Sequence, residues 1–318
     1  MIDVKNLSKS FGQKKAVENI SFQVKKGDIL GFLGPNGAGK STTMRIITGY
    51  IPPTSGDASI GGFSVIKDPL KVKKKIGYLS ETSPLYPEMT VEEFLSFCCE
   101  IRGYSGKEKD LKLTRAMERC FLKDTGKQQI STLSKGYRQR VSFAQSILHD
   151  PEYLIMDEPT DGLDPNQKHE VRKMIKEMSN NKAIILSTHI LDEAAAICNR
   201  SIVIAHGQLI ENSTPKDLCR KDPDFGAITM EISYENMEHS PVRRISSLEG
   251  IKSVQVLQND EEKKHAELKI FLEKQETSHI SSVMSLIEDD LSKAGCGIYN
   301  ISLDKGNLSK VFRMLTDN

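Results

Sequence analysis

Two kinds of hydrophobic pattern divide the first part of the chain. Apolar and polar residues alternate between Ile2 and Val24, with breaks at Phe11-Gly12 and after Val24, and this period of two predicts an antiparallel strand pair. Three later runs are short and continuously apolar, at residues 29–33, 154–156 and 183–186. Because continuous apolar runs are typical of strands buried on both faces, these runs predict a parallel core sheet.

The segment from residue 87 to residue 150 has a helical period instead. Val91, Phe94 and Leu95 follow Thr90 at the spacing of one helix face, and Thr90 is a residue type that caps helices. We therefore expect a helical subdomain, at about 87–150, inserted into the sheet domain. Together these elements define a first domain at 1–218.

The last third of the chain predicts a smaller domain at 227–318, after a linker at 219–226 that contains Pro223. Strands are expected at 228–234, 254–257, 268–272 and 298–303, and helices near 242–248, at 278–291 and at 308–315. The order β-α-β-β-α-β is that of the split βαβ arrangement, which predicts a small ferredoxin-like α+β domain. The charged segment Asn259–Lys264 is expected to be a solvated hairpin turn.

Composition and charge mainly exclude certain classes of function. The 44 basic and 43 acidic residues among 318 leave a net charge of +1, so no overall field favours nucleic acid or an anionic membrane. The six cysteines lack CxxC spacing and are expected to be reduced thiols. No secretory signal pattern is seen, and no apolar run approaches the roughly 20 residues that span a bilayer. We therefore expect a cytoplasmic protein that reaches a membrane only through a partner.

One glycine-rich motif indicates phosphate chemistry. Residues 34–41, GPNGAGKS, match G-x-x-x-x-G-K-[ST] between a strand and a helix. In such a loop, backbone N–H groups and the helix dipole bind phosphate, Lys40 reaches the β- and γ-phosphates, and Ser41 ligates Mg²⁺. The nucleotide-binding residues predicted here are Gly34, Pro35, Asn36, Gly37, Ala38, Gly39, Lys40, Ser41 and Thr42.

Two other core strands end in polar residues. Asp157 and Glu158 follow the run 154–156, where unpaired charge would be costly, so we expect Asp157 to hold Mg²⁺ and Glu158 to orient or deprotonate the attacking water. His189 follows the third run, and we expect it to donate a hydrogen bond to the γ-phosphate. The predicted catalytic set is Glu158, His189 and Lys40, and the predicted ligands are ATP and Mg²⁺.

The stretch TLSKGYRQR, residues 132–140, predicts a helix with an unfavourable charge at its start. Ser134 suits the N-cap, but Lys135, Arg138 and Arg140 follow without an acid, and each cation near a helix N-terminus costs about 0.3–1 kcal/mol. We therefore expect an anion from outside the helix to compensate. Tyr137 stands where Glu or Gln would complete a capping box, so the cap is expected to be weak by itself.

These residues together resemble the ATP-binding subunits of ABC transporters. Six elements occur in the order of that family between residues 1 and about 218: Phe11 as the adenine platform, the phosphate loop, Glu81, the signature LSKGY, Asp157-Glu158 followed by Asp164, and His189. The ending at 307–316 is similar to that of export-type ATPases that work with type-2 permeases, in the gliding-motility and multidrug branch. The resemblance implies an α/β P-loop NTPase domain with a mixed core sheet, an antiparallel β subdomain and an inserted helical subdomain.

The resemblance also implies an assembly. In a homodimer, each ATP would lie between the phosphate loop of one chain and the signature of the other, where Ser134 and Gly136 would donate to the γ-phosphate. Hydrolysis would move integral membrane permease subunits during export, which would make the chain peripheral on the cytoplasmic face of the membrane. Nucleic acid is not an expected partner. The further nucleotide-binding residues implied are Phe11, Glu81, Ser134, Gly136 and Asp164, with Glu81 also as a Mg²⁺ ligand.

Several positions depart from the pattern of that family. Glu81 replaces the usual Gln and cannot donate a hydrogen bond as an amide does. Lys135 and Tyr137 replace Gly and Gln in the signature, and Asp161 adds negative charge where a small hydroxyl residue is common. Phe11 replaces the more frequent Tyr and keeps a stacking face.

Two other classes of protein use the same phosphate loop. A soluble ABC-type clamp in DNA repair or translation would have a long coiled coil or two cassettes, and the sequence has neither heptads nor an internal repeat. A GTPase would need N-K-x-D, and the segment Asn181–Ile184 lacks its final Asp. A transporter ATPase is therefore the main hypothesis and the clamp is the alternative.

Overall fold

The computed structural model describes residues 1–82, 84–234, 241–260 and 264–316, except the side chains of 277 and 278. The chain divides into two compact units, one of Met1–Pro215 with Phe312–Asn318 and one of Lys216–Val311. The predicted domain limits at 218 and 227 stay predictions. Among the described residues, no helix combines the length and the apolar character needed to cross a bilayer.

Strands and short helices alternate through the first unit. In chain order they are β1 (Ile2–Phe11), β2 (Lys14–Val24), β3 (Ile29–Leu33), α1 (Lys40–Ile47), β4 (Ser55–Ile60), β5 (Phe63–Ser64), α2 (Pro69–Lys75), β6 (Ile76–Leu79), α3 (Val91–Ile101), α4 (Gly106–Arg119), α5 (Lys135–Ile147), β7 (Tyr153–Asp157), α6 (Pro165–Ser179), β8 (Ala183–Thr188), α7 (Leu191–Ile197), β9 (Arg200–Ala205) and β10 (Gln208–Ser213). A further short helix, α8 (Pro215–Cys219), follows β10.

These strands form two sheets. The antiparallel sheet has the order β2-β1-β4-β5, and the six-stranded sheet has the order β10-β9-β3-β8-β7-β6. Within the second sheet only β10 runs antiparallel to its neighbour, so the sheet is mixed, with a parallel centre. Every residue of β3, β7 and β8 is buried, as their continuous apolar runs predict. Because β3, β7 and β8 are parallel neighbours, their carboxyl ends meet at one edge of the sheet.

The helical insertion is built from α3, α4 and α5, which pack against one another. α3 begins with a capping box, in which the Glu93 N–H donates to Thr90 Oγ1 at 3.3 Å and the Thr90 N–H donates to Glu93 Oε2 at 2.8 Å. Val91, Phe94 and Leu95 are buried on its inner face. The helix predicted from periodicity after Thr90 is therefore present.

The second unit has the predicted element order. It contains β11 (Ile228–Ser233), α9 (Pro241–Ser246), β12 (Ile251–Asp260), β13 (His265–Leu272), α10 (Thr277–Lys293) and β14 (Gly297–Leu303), and the chain continues into α11 (Leu308–Thr316). The sheet order is β12-β13-β11-β14, and all three pairs are antiparallel. β12 extends beyond the predicted strand 254–257. The prediction was too short because β12 is an edge strand whose exposed residues show no alternating pattern. Of the predicted turn Asn259–Lys264, Asn259 and Asp260 belong instead to β12, and residues 261–263 lie outside the described residues.

Candidate functional site

The phosphate loop connects β3 to α1 in a conformation that requires glycine. Gly37 and Gly39 have positive φ angles of 80° and 109°. A β-carbon on Gly39 would lie 2.5 Å from the Ala16 carbonyl oxygen, and one on Gly34 would lie 2.5 Å from the Ile204 carbonyl oxygen. No acidic residue or capping side chain serves the first turn of α1 among the described residues, so its N–H groups remain suited to an anion.

Lys40 begins α1 and is 7% exposed. Its Nζ donates to the carbonyl oxygens of Gly34 at 2.7 Å and of Pro35 at 3.2 Å. Burial lowers the pKa of Lys40, and the negative charges of Glu158, Asp157 and Glu81 oppose that decrease. The ammonium group therefore belongs to the same electrostatic cluster as the predicted carboxylates.

Asp157 ends β7 and is 2% exposed. In the parallel register it is the partner of Ser187 on β8, and Ser187 Oγ donates to Asp157 Oδ1 at 2.5 Å. The same hydroxyl accepts a hydrogen bond from the Glu158 N–H at 3.1 Å. Ser187 therefore connects the two predicted carboxylate residues. The sequence analysis did not assign it, although its hydroxyl at the end of a core strand was a usable signal.

Glu158 follows β7 in the left-handed region, with a φ of 50°. This conformation costs a non-glycine residue of order 1–3 kcal/mol, and such strain is frequent at functional sites. His189 Nδ1 lies 3.0 Å from Glu158 Oε2, and the side chains are 52% and 14% exposed, respectively. The two predicted catalytic residues are thus hydrogen-bonded to each other, in a geometry that orients the carboxylate.

A cavity of about 420 Å³ brings most of the predicted residues together. Its lining includes Lys14, Ala16 and Asp161, which were not predicted as site residues, together with Phe11, Asn36, Gly37, Gly39, Lys40, Ser41, Thr42, Glu81, Glu158 and His189. The chemistry of a nucleotide fits this lining, since the lining combines an aromatic ring with a phosphate loop and its lysine. In the described part of the chain, Ser134, Gly136 and Asp164 do not line this cavity.

The N-cap of the signature turn is as the sequence predicts, whereas the partners of its cations are not. Ser134 caps α5 by accepting the Tyr137 N–H at 3.3 Å, so the single-sided cap forms without a capping box. The cations also have partners in the same chain. Lys135 Nζ lies 3.0 Å from Asp161 Oδ2, and Arg140 Nη2 lies 2.5 Å from a carboxylate oxygen of Glu170.

The remaining contacts of the signature turn involve Leu133, directly before Ser134, and helix α6. Arg138 Nη1 donates to the Leu133 carbonyl oxygen at 2.8 Å. Asp164 is the N-cap of α6 and accepts the Gln167 N–H at 2.9 Å. A β-carbon on Gly136 would lie 2.3 Å from Gln167 Oε1, so the signature glycine allows α5 to approach α6 closely.

The chain is similar to several known proteins. Residues 17–161 match the protein family described as ABC transporter. The chain is 31% identical over 318 residues to the linearmycin resistance ATP-binding protein LnrL of Bacillus subtilis, covering 99% of this chain and 98% of that protein. It is 35% identical to the Nod factor export ATP-binding protein I of Rhizobium etli, covering 73% of each chain.

Two solved structures share the cassette fold. One is described as the ATP-binding subunit of an ABC transporter, with 32% identity, a TM-score of 0.64 and coverage of 70% of this chain and 92% of that one. The other is a dimeric post-hydrolysis state of the ATP-binding cassette MJ0796 bound to ADP and Pi, with 25% identity, a TM-score of 0.62 and coverage of 68% and 99%. These likenesses favour a transporter ATPase over a clamp in DNA repair or translation. The chain belongs to the family of ATP-binding subunits of ABC transporters, and it binds and hydrolyses ATP.

Proposed function

We propose that Glu158 is the general base of ATP hydrolysis and that His189 orients it. The observation behind this proposal is the 3.0 Å contact between the two side chains in a cavity that also contains Lys40. A carboxylate within hydrogen-bond reach of a water deprotonates or orients it for attack on the γ-phosphorus. In the imidazolium form, His189 donates from Nδ1 to the carboxylate and from the exposed side of its ring, through Nε2, to the γ-phosphate.

The remaining residues bind the nucleotide. Phe11 stacks on the adenine, the amides of residues 34–42 bind phosphate oxygens, and Lys40 exchanges its carbonyl contacts for the β- and γ-phosphates. This exchange is supported by the 2.7 Å hydrogen bond from Nζ to Gly34, which keeps the ammonium inside the phosphate loop. Glu81 lines the cavity and accepts hydrogen bonds there.

A magnesium ion fits the donors present. The described residues contain no group of three or more His, Cys, Asp or Glu side chains able to hold a metal ion alone. Mg²⁺ at nucleotide sites is typically bound by one or two carboxylates together with phosphates and water. Asp157, Ser41 and Glu81 supply hard oxygen atoms of this kind, and Ser187 holds the Asp157 carboxylate in one orientation. When bound, the ion neutralises charge that develops on the phosphates.

We further propose that the working unit is a homodimer, in which Ser134 and Gly136 of one chain bind the γ-phosphate held by the other, with Asp164 at the same interface. Two observations support this. The signature residues do not line the cavity of their own chain among the described residues, and the MJ0796 cassette is described as dimeric. The exposed Ser134 at the start of α5 leaves this turn accessible to a second molecule.

The dimer would drive export by moving integral membrane permease subunits, which would hold the chain on the cytoplasmic face of the membrane. The name of the Rhizobium etli relative, which includes export, supports this direction. We assign residues 1–218 to the ATPase domain and 227–318 to a ferredoxin-like accessory domain after the 219–226 linker. The sheet order β12-β13-β11-β14 supports that assignment.

The test of the general base is Glu158→Gln. We expect ATP turnover to fall by about 10²–10⁴-fold, the usual contribution of general acid–base catalysis, while equilibrium ATP binding remains. Glu170→Gln is the matched control because Glu170 is half-exposed, pairs with Arg140 and does not line the cavity. Turnover by Glu158→Gln close to that of the control would contradict the proposed base.

A further inference from the structure

The aromatic platform of the nucleotide cavity has a cation on one of its faces. Phe11 ends β1 and is 52% exposed, so packing alone leaves its ring weakly constrained. Lys9 Nζ lies over this ring, 5.1 Å from its centroid. Contacts within about 6 Å of the centroid are typical of attractive cation–π pairs.

The ammonium group of Lys9 is itself held in place. It donates to the Pro52 carbonyl oxygen at 2.7 Å, in the segment between α1 and β4. That segment is fastened to β1 by two further hydrogen bonds, from the Thr54 N–H to the Ser8 carbonyl at 2.8 Å and from the Ser10 N–H to Thr54 Oγ1 at 3.0 Å. The hydrogen bond to Pro52 therefore holds the Lys9 ammonium group over the ring.

We propose that Lys9 is a positioning residue for the nucleobase: it occupies one face of the Phe11 ring and presents the other face to adenine. This inference rests on the proposed role of Phe11 as the adenine platform. A cation on one face attracts the ring electrons toward itself, which makes the opposite face a better partner for an electron-rich purine. Lys9 thus acts on the base and has no direct contact with the phosphates.

The test compares two ligands of the full-length chain that differ in the base. ADP contains adenine, whereas inorganic pyrophosphate offers only the phosphate contacts. For Lys9→Met we expect ADP affinity to fall about two- to fivefold, the range for an exposed cation–π pair, and pyrophosphate affinity to stay unchanged, both measured by isothermal titration calorimetry. Lys9→Gln can keep the hydrogen bond to Pro52 without the charge, and it is expected to lose the same affinity. Lys9→Arg keeps a cation and is expected to remain within twofold of the wild type.

Two controls separate this role from general electrostatics and from folding. Lys5→Met removes another β1 lysine, which is 72% exposed and paired with Asp3, and it is expected to leave both affinities unchanged. In a Phe11→Ala background, Lys9→Met is expected to have no further effect on ADP. Equal losses for ADP and pyrophosphate, wild-type ADP affinity of Lys9→Gln, or an added loss in the Phe11→Ala background would each overturn the proposal. Unchanged ADP affinity of Phe11→Ala alone would instead refute the adenine platform.

Discussion

Ser187 offers the sharpest test of how the two carboxylates are held. Its buried hydroxyl donates to Asp157 at 2.5 Å and accepts from the Glu158 N–H at 3.1 Å. In Ser187→Ala, the N–H loses its partner in the protein and the carboxylate loses a charge-assisted hydrogen bond. A hydrogen bond to a charged group contributes about 1.5–3 kcal/mol, and an unsatisfied buried group costs about 1–3 kcal/mol. Because the two terms share one hydroxyl, we expect a decrease of about 2–4 kcal/mol in the free energy of unfolding.

The chain contains a matched control in the same sheet. Ser201 on β9 is also fully buried, but its Oγ has no hydrogen-bond partner in the part of the chain that the structure describes. Ser201→Ala removes an unsatisfied polar atom, so we expect a change between about zero and 1 kcal/mol of stabilisation. Both substitutions delete one oxygen from a buried serine, and they differ in the hydrogen bonds lost.

The assay is urea unfolding followed by far-ultraviolet circular dichroism, supported by tyrosine fluorescence because the chain has eight Tyr and no Trp. Both serines belong to the six-stranded sheet, so both variants report on the same unfolding transition. ATP turnover should also fall in Ser187→Ala, since Glu158 loses its backbone anchor, and should stay near the wild-type value in Ser201→Ala. Equal destabilisation by the two substitutions would refute the bridging role of Ser187.

Three other predictions follow from the same unit. Burial lowers the pKa of His149 to about 4 from 6.5, so the unfolded chain binds the proton more readily as the pH falls. The wild type should therefore lose about 2 kcal/mol of stability between pH 7 and pH 5, and His149→Gln should lack this loss in urea unfolding at both pH values. Gly39→Ala should abolish ATP binding in equilibrium dialysis, whereas Gly37→Ala should retain part of it. Both have positive φ, but a β-carbon meets a backbone oxygen only at Gly39, with nothing within 4 Å at Gly37. Lys135→Met should weaken ATP binding because the charge of Asp161 is then unneutralised, and the added substitution Asp161→Asn should restore binding. Because the pair is exposed, the coupling free energy between the two substitutions should lie below about 1 kcal/mol. A coupling free energy of zero would contradict the ion pair.

Much of the candidate site was predictable because its signals are local. The glycines of residues 34–41 encode a loop conformation through their own backbone freedom. Short apolar runs place Asp157 at the end of one core strand and His189 directly after another. A local pattern also predicted Thr90 as the N-cap of α3; the capping box, in which Glu93 takes part three residues later, was not predicted although its signal is local. The length of β12 was not predictable in this way, because its exposed residues lack an alternating pattern.

Contacts between distant residues were not predictable. Lys135 and Asp161 are 26 positions apart, and Ser187 and Asp157 are 30 apart. The sequence analysis noted that the first turns of α5 have no acid of their own, which is correct, and expected an external anion. The acids instead come from other segments of the same chain, because α5 packs beside the turn after β7 and beside α6.

The sequence by itself determined the family, the phosphate loop, the order of the elements in the second unit and the identity of the chemical groups. These depend on residue types at short spacings, where backbone conformation and hydrophobic period are set within one or two elements. Only the tertiary structure decided which groups meet. The parallel pairing of β7 with β8 brings Ser187 to Asp157 and Glu158, and the 52–54 segment brings the Pro52 carbonyl to Lys9. Such contacts depend on strand order and register, which burial of the whole core selects and no short segment encodes.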